Sequence, residues 1–344
     1  MYVKLATNVI ATKLRALYGK RLSFSDYEQL INKHSISEIA YYLKTETYYK
    51  STLESINENS IHRGQLELLV KIANFKKYTH FLSYKVSEDM DLFKYVILKN
   101  ELEEMLTAIR LFNTGRMEKY ALNLPVFLLE HTKMNLKNLV NVKQFDDLLK
   151  ISKNTIYYKP LKMFMPKNNN SKIKIDVVRC EMELRKAFYN KVFSLISNEN
   201  MYSKKFFLIN IEMFNITVIY RLIKFFSKSG QYIKSCLLPF FYYLDEKIID
   251  QMVNSGSVEE LQKIILKTKY AKYFENIDIS DIELFRSKFL YNMIKKDIRF
   301  VTSPEHIMTC YVYLMDVELN NIITIIECIS YKFSPEEIKK LLII

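Results

Sequence analysis

The sequence offers few side chains arranged for catalysis. Its four cysteines, Cys180, Cys236, Cys310 and Cys328, include no C-x-x-C pair, and Cys180-Glu181 is an isolated juxtaposition. The five histidines are dispersed without a paired base, so no zinc site or activated nucleophile is written into the spacing. Four scattered thiols read as reduced structural residues of a cytoplasmic chain. Five glycines in 344 residues leave no glycine-rich loop to cradle phosphate. Catalytic residues, cofactor and metal are therefore all expected to be none. The polar residues that do recur stand inside apolar stretches. Asn8, Glu104, Asn215 and Asn321 occupy one such position, with Glu101, Glu212 and Glu318 three residues ahead in the last three copies. Arg15, Arg110 and Arg221 follow six or seven residues later, and Glu327 takes that place in the final copy. A carboxylate or amide among aliphatic side chains needs a hydrogen-bond partner, and an arginine one or two turns on is an available one. The chemistry this implies is a structural polar lock, with contact to a partner protein as the alternative.

The elements that must position these residues also repeat. An acid followed by an apolar residue precedes Thr-x-Tyr-x-x-x-Leu/Phe three times: Glu38-Ile39 with Thr47, Tyr49 and Leu53; Asp147-Leu148 with Thr155, Tyr157 and Leu161; Glu260-Leu261 with Thr268, Tyr270 and Phe274. Ile39 and Leu148 are 109 residues apart, Leu148 and Leu261 are 113, and a fourth start, Glu337-Ile338, has no room for its tail. A period near 110 is too long for a solenoid and reads as homologous domains. Tyr49, Tyr157 and Tyr270 are expected to pack back on the core after a helix stop. The expected organisation is an N-terminal half-copy over 1–60, repeat domains over 61–165 and 166–278, and a C-terminal half-copy over 279–344 that packs with the first. The second repeat domain follows the Asn-rich linker "MPKNNNSKIK".

The fold class is all-α. Glycine and proline fall far below their usual shares of about 7% and 5%, which removes the punctuation of hairpins. "LKNELEEMLTAIRLF" places Leu98, Leu102, Met105, Leu106, Ile109 and Leu111 mainly at spacings of three and four. Ser-x-x-Glu capping boxes are expected at Ser25, Ser35, Ser257, Ser280 and Ser334. The most apolar window, Phe206 to Tyr220, falls short of a bilayer span and reads as a buried core helix. No transmembrane segment is expected. A formal net charge of +13 and 25 tyrosines raise the alternative of a basic helical nucleic-acid-binding scaffold. Against it, the cations come in ones and twos among acids, and most tyrosines lie at helical spacing with aliphatics. No nucleic acid is expected as partner.

In order and coverage, "NVIATKLRAL", "LSFSDYEQLINKHSISEIAYYLKTETYY", "INIEMFNITVIYRLI", "SVEELQKIILKTKYAKYF" and "YVYLMDVELNNIITIIECISYKFSPEEIKKLLI" resemble the family of C subunits in the central stalk of V/A-type ATPases, the counterparts of the d subunits of eukaryotic V-ATPases. The resemblance implies three similar helical bundles in a pseudo-threefold funnel or socket with no active site. It implies as partners the central-shaft subunits and the membrane rotor ring, with torque passing between them during proton or sodium transport. It places the chain on the cytoplasmic face of the membrane as a peripheral component. This sequence departs from the family where arginines usually follow the first Asn, having Val9, Ile10, Ala11 and Thr12 there, and has Ile323 where an arginine usually follows Asn-Ile.

Overall fold

Sparse glycine and proline leave long runs of chain free to coil. The computed structural model describes residues 2–82, 92–166, 175–197, 200–275 and 277–344, and these form α-helices and short 3-10 turns without a strand. The first part holds α1 (Tyr2–Tyr18), α2 (Phe24–Ile31), α3 (Ile36–Glu46), the one-turn α4 (Lys50–Leu53) and α5 (Arg63–Leu82). Next come α6 (Leu92–Thr114), α7 (Phe145–Ser152), the short α8 (Tyr158–Lys162) and α9 (Val177–Leu195). They are followed by α10 (Met201–Phe226), α11 (Gly230–Ser235), α12 (Glu246–Val253), α13 (Val258–Ile265) and α14 (Ala271–Phe274). The chain closes with α15 (Ile282–Phe300), α16 (Pro304–Ser330) and α17 (Pro335–Leu341). Residues 167–174 of the Asn-rich linker lie outside the described residues.

The chain divides into two compact units, one of Met1–Ile97, Ala121–His131 and Tyr291–Ile344, the other of Leu98–Tyr120 and Thr132–Leu290. In the first, both ends of the sequence feed one core. Leu30, Ile39, Leu43, Tyr49 and Leu53 pack with Ile322, Ile325 and Ile326 of α16 and with Ile338 and Leu342 at α17. Burying each such side chain contributes about 1.5–3 kcal/mol, so neither end can hold this core alone. Helices α1 and α5 also lie against α16. In the second unit α10 is the central helix, buried along most of its length and packed on α11 and α13, while α8 lies against α9.

Helix α10 is longer than its apolar window implies. At 26 residues it is long and apolar enough to cross a membrane by length and composition, and 72% of its apolar window is buried inside the protein. Glu212 and Asn215 at its middle are fully buried and hydrogen-bonded to their own unit, which is how a core helix carries polar groups.

Local capping follows the sequence in part. Ser35, Ser257 and Ser334 each accept the backbone N–H three residues on, as the spacing predicts. Two boxes are displaced. Ser25 lies inside α2, whose cap is Ser23 paired with Asp26, and Ser280 lies in a 3-10 turn capped by Asp278 ahead of α15. In both places an earlier residue reaches the free N–H groups first. Helices α6, α10 and α16 stop in the same way: Gly115, Ser227 and Lys332 take left-handed φ of 67°, 45° and 62°. The next residue then donates back to a carbonyl of the last turn, Arg116 to Leu111, Lys228 to Leu222 and Phe333 to Cys328. Only one of the three stops uses glycine, so the shared turn is invisible to a search for glycine.

Candidate functional site: buried carboxylates of the repeat

The acid that opens each repeat motif is a helix cap. Glu38 accepts the His34 N–H, Asp147 accepts those of Lys143 and Gln144, and Glu260 accepts that of Gly256. The apolar residue after it, Ile39, Leu148 or Leu261, is fully buried. Thr-x-Tyr is a hydroxyl-stabilised stop in all three copies. The threonine oxygen accepts the tyrosine N–H at 3.2, 3.2 and 3.1 Å for Tyr49, Tyr157 and Tyr270. The same hydroxyl donates to Leu43, Ser152 or Ile265 O in the helix just ended. That double bond fixes the backbone and turns each tyrosine ring inward, where it is at most 1% exposed.

Two of these phenols meet a buried carboxylate. Tyr270 donates to Glu212 Oε2 at 2.5 Å, while Glu212 Oε1 accepts the N–H groups of Tyr242, Tyr243 and Leu244 at 2.6–2.8 Å. Asn215 closes the next part of the loop, donating to Leu238 O and accepting Leu238 N–H. In the first unit Glu318 of α16 stands in the same relation to the N-terminal segment. It accepts the Leu22 N–H at 2.7 Å, Tyr49 hydroxyl at 3.3 Å and Tyr48 hydroxyl. Asn321 mirrors Asn215, exchanging both bonds with the Ile343 backbone. The copy on α6 is looser. Glu101 accepts Thr132 Oγ1–H at 2.6 Å, Glu104 accepts the Tyr120 hydroxyl at 2.6 Å, and Tyr157 donates to Leu98 O instead. Each site thus ties a long helix to a distant loop of its own unit.

The arginines do not complete these sites. Arg110 pairs with Glu181 and Arg221 with Glu283 on the exposed side of their helices, at 3.2 Å each. Arg15 caps the end of α15 by donating to Ile298 O and Val301 O, and Glu327 pairs with Arg63. Arg110 and Arg221 stand nine residues beyond Glu101 and Glu212, half a turn out of phase on the helix, so they face away from the buried carboxylate, and backbone N–H groups and phenols take the place expected for arginine. The Asn8 side chain lies outside the described residues.

Burial sets the electrostatics. It raises the Glu101 carboxyl above its ordinary value, with Thr132 pulling back, and lifts Glu318 to about 7. Lys77 of α5, 3.9 Å from Glu318 and over the Tyr48 ring, is pushed down to about 7 by the same desolvation. Tyr49, Tyr157 and Tyr270 are held far above ordinary phenol values, first by burial. The hydrogen-bonding oxygens of Glu212 and Glu318 are thus committed to donors of their own unit. The arrangement can lock chain segments together; it holds no exposed acid–base pair. All four cysteines are buried, with thiols raised by burial. His306 and Cys310 are one turn apart on α16, but His306 bonds Asp297, and no group of three metal-ligating side chains occurs among the described residues.

Thr132, Tyr120, Tyr48 and Lys77 complete these sites without having been singled out by the repeat. Tyr48 had a signal, the doubled Tyr-Tyr before the first stop; Lys77 had none, because its partner is more than 200 residues away. A family model described as ATP synthase (C/AC39) subunit matches residues 10–341. No curated protein matches the chain.

Proposed function

Because the chain belongs to the ATP synthase (C/AC39) subunit family of V/A-type ATPases, we propose that it is the non-catalytic central-stalk component joining the central-shaft subunits to the membrane rotor ring. Torque from ATP hydrolysis or ion flow then passes through it during proton or sodium transport. It sits as a peripheral component on the cytoplasmic face. The observation that carries this reading is the family match over residues 10–341, nearly the whole chain. The polar sites support it. An adapter under load needs segments that do not slide past one another, and Glu212, Asn215, Glu318 and Asn321 each fix a loop to a long helix by two or more bonds. In this reading the repeats over 61–165 and 166–278, with 279–344 completed by 1–60, stand around a pseudo-threefold axis. They present helix ends and short loops to a ring of different symmetry through many modest contacts.

The test is reconstitution. The purified chain is mixed with shaft subunits and detergent-solubilised rotor ring, and co-elution is followed together with ATP-driven ion transport after assembly of the complete ATPase. Co-elution with both partners and transport that depends on the chain are expected. If the chain elutes alone and transport is the same without it, the adapter reading is wrong.

A further inference from the structure

The last turn of α10 ends in an uncovered aromatic tip. Phe225 and Phe226 are 63% and 60% exposed, and every residue from Lys224 to Ser229 is open to solvent. Phe225 meets the Tyr220 ring edge-on, with centroids 6.4 Å apart, and the left-handed turn at Ser227 then carries the chain away into α11. Successive positions on a helix diverge by about 100°, so the two phenylalanine rings point apart and one groove cannot take both.

The charge along this segment has one sign. From Met213 to Leu244 the chain holds Arg221, Lys224, Lys228 and Lys234 and no acid. Arg221 is paired with Glu283, and Lys234 with Asp250 and Glu246. Lys224 and Lys228, which flank the phenylalanines, have no carboxylate within ion-pair distance among the described residues. Lys224 donates to the Tyr220 hydroxyl at 2.6 Å and keeps two further N–H protons, and the Lys228 ammonium stands 5.3 Å from the Tyr232 ring centroid. Two acids of neighbouring segments act here, and both are committed as caps. Asp278 accepts the Ser280 N–H at 2.8 Å; Asp176 accepts the Arg179 N–H at 3.1 Å and the Tyr232 hydroxyl at 3.3 Å.

We propose that this tip is a membrane-surface anchor: Phe225 and Phe226 enter the interface of an anionic bilayer, and Lys224 and Lys228 hold the headgroup phosphates above them. Two adjacent phenylalanines left in water gain free energy in a fluid acyl boundary whatever the angle between their rings, and each lysine beside an anionic leaflet adds attraction. The lysine stems lie along the apolar boundary while their ammonium groups stay at headgroup level. An acidic protein would satisfy the cations but would need two separate pockets for diverging rings. The proposal does not rest on the adapter reading, because lipid vesicles contain no rotor ring; failure to bind them leaves co-elution with ring and shaft untouched.

The chain has no tryptophan, so Phe226→Trp places a single fluorophore at the tip of the full-length protein. It is titrated with vesicles of phosphatidylcholine containing phosphatidylglycerol, and with phosphatidylcholine alone. Saturable binding to the anionic vesicles is expected, about tenfold or more tighter than to the neutral ones, with a blue-shifted emission that dibrominated acyl chains quench. Tyr41→Trp, at a 59% exposed position of α3, should show neither shift nor quenching. In sedimentation with the same vesicles, Phe225→Ser/Phe226→Ser keeps the charge and should keep the thermal midpoint, yet weaken binding about tenfold, and Lys224→Gln/Lys228→Gln should weaken it similarly. Absence of saturable binding overturns the proposal. Binding that the double serine variant leaves unchanged would be adhesion of a basic chain by charge alone and overturns it too, as does equal affinity for neutral vesicles. An emission that ignores vesicles but shifts on addition of shaft subunits or detergent-solubilised ring would assign the tip to a protein partner and defeat the lipid proposal.

Discussion

Replacing Glu212 by alanine removes the acceptor that ties α10 to the loop before α12. The residue is fully buried in α10 and accepts four hydrogen bonds, three from consecutive backbone N–H groups at Tyr242 to Leu244 and one from Tyr270. Alanine leaves these donors without their acceptor. Tyr242 is exposed and its N–H can turn to water, whereas Leu244 and the Tyr270 phenol are buried and cannot. Counting only the buried donors at about 1–3 kcal/mol each, and adding the void, gives a loss of roughly 3–8 kcal/mol. That is a large part of the 5–15 kcal/mol typical of a folded domain. Glu212→Gln keeps an acceptor oxygen for the three N–H groups but sets an amide NH2 where Oε2 accepted the Tyr270 hydroxyl, so its loss should be about 1–3 kcal/mol. Amide hydrogen exchange resolves the effect locally, and urea unfolding measures it globally. Protection at residues 242–244 should vanish in Glu212→Ala and survive in part in Glu212→Gln. Full protection at those amides in Glu212→Ala, with stability within about 0.5 kcal/mol of the parent, would refute the claim that this carboxylate holds the loop.

Four further outcomes follow from the same geometry. Glu318 is held at about 7 against an ordinary 4.5, so the folded state keeps a proton that the unfolded state has lost. Stability should therefore fall as pH rises through that window, by at most ~1.4 kcal/mol per pH unit, and Glu318→Gln should flatten that limb in urea midpoints taken against pH. Lys77 has the opposite sign: held at about 7 against 10.5, it makes stability rise with pH across that range, and Lys77→Met should remove the rise. Ser227→Gly, at a left-handed stop where serine is strained, should raise the thermal unfolding temperature by an amount equivalent to roughly 1 kcal/mol, with a decrease counting against the strain. Arg110→Ala removes an exposed ion pair with Glu181 and should change stability by less than about 1 kcal/mol in the same assay.

The helical class, the three Thr-x-Tyr stops and the carboxylates in apolar helices were all legible in the sequence, because each leaves a local mark. Threonine two residues before a buried tyrosine, recurring at 108 and 113 residues, or glutamate among apolar residues, recurring at 111 and 106, is unusual enough to be noticed. What the sequence could not supply was the identity of the partners. A backbone N–H carries no residue type, so Tyr242 to Leu244, Leu238, Leu22 and Ile343 were unreadable as hydrogen-bonding groups. Arg110 and Arg221 were readable and misleading, since they share the period of the carboxylates while facing the opposite side of their helices.

Substitution of partners within the repeat also explains why the copies differ so much in sequence. Tyr157 gives its proton to the Leu98 carbonyl where Tyr270 gives it to Glu212, and Thr132 then serves Glu101 in its stead. Glu104 replaces the amide of Asn215 and Asn321, and takes a phenol, Tyr120, where they take a backbone pair. In each copy the loss of one donor is met by another within the same unit, because a buried carboxylate without a donor costs more than any one residue's identity. The constraint in such a scaffold therefore falls on the position of a polar group at the middle of a long helix and on the satisfaction of its acceptors. The residues that satisfy them are free to change, which is the condition under which a fold persists while its sequence repeat decays.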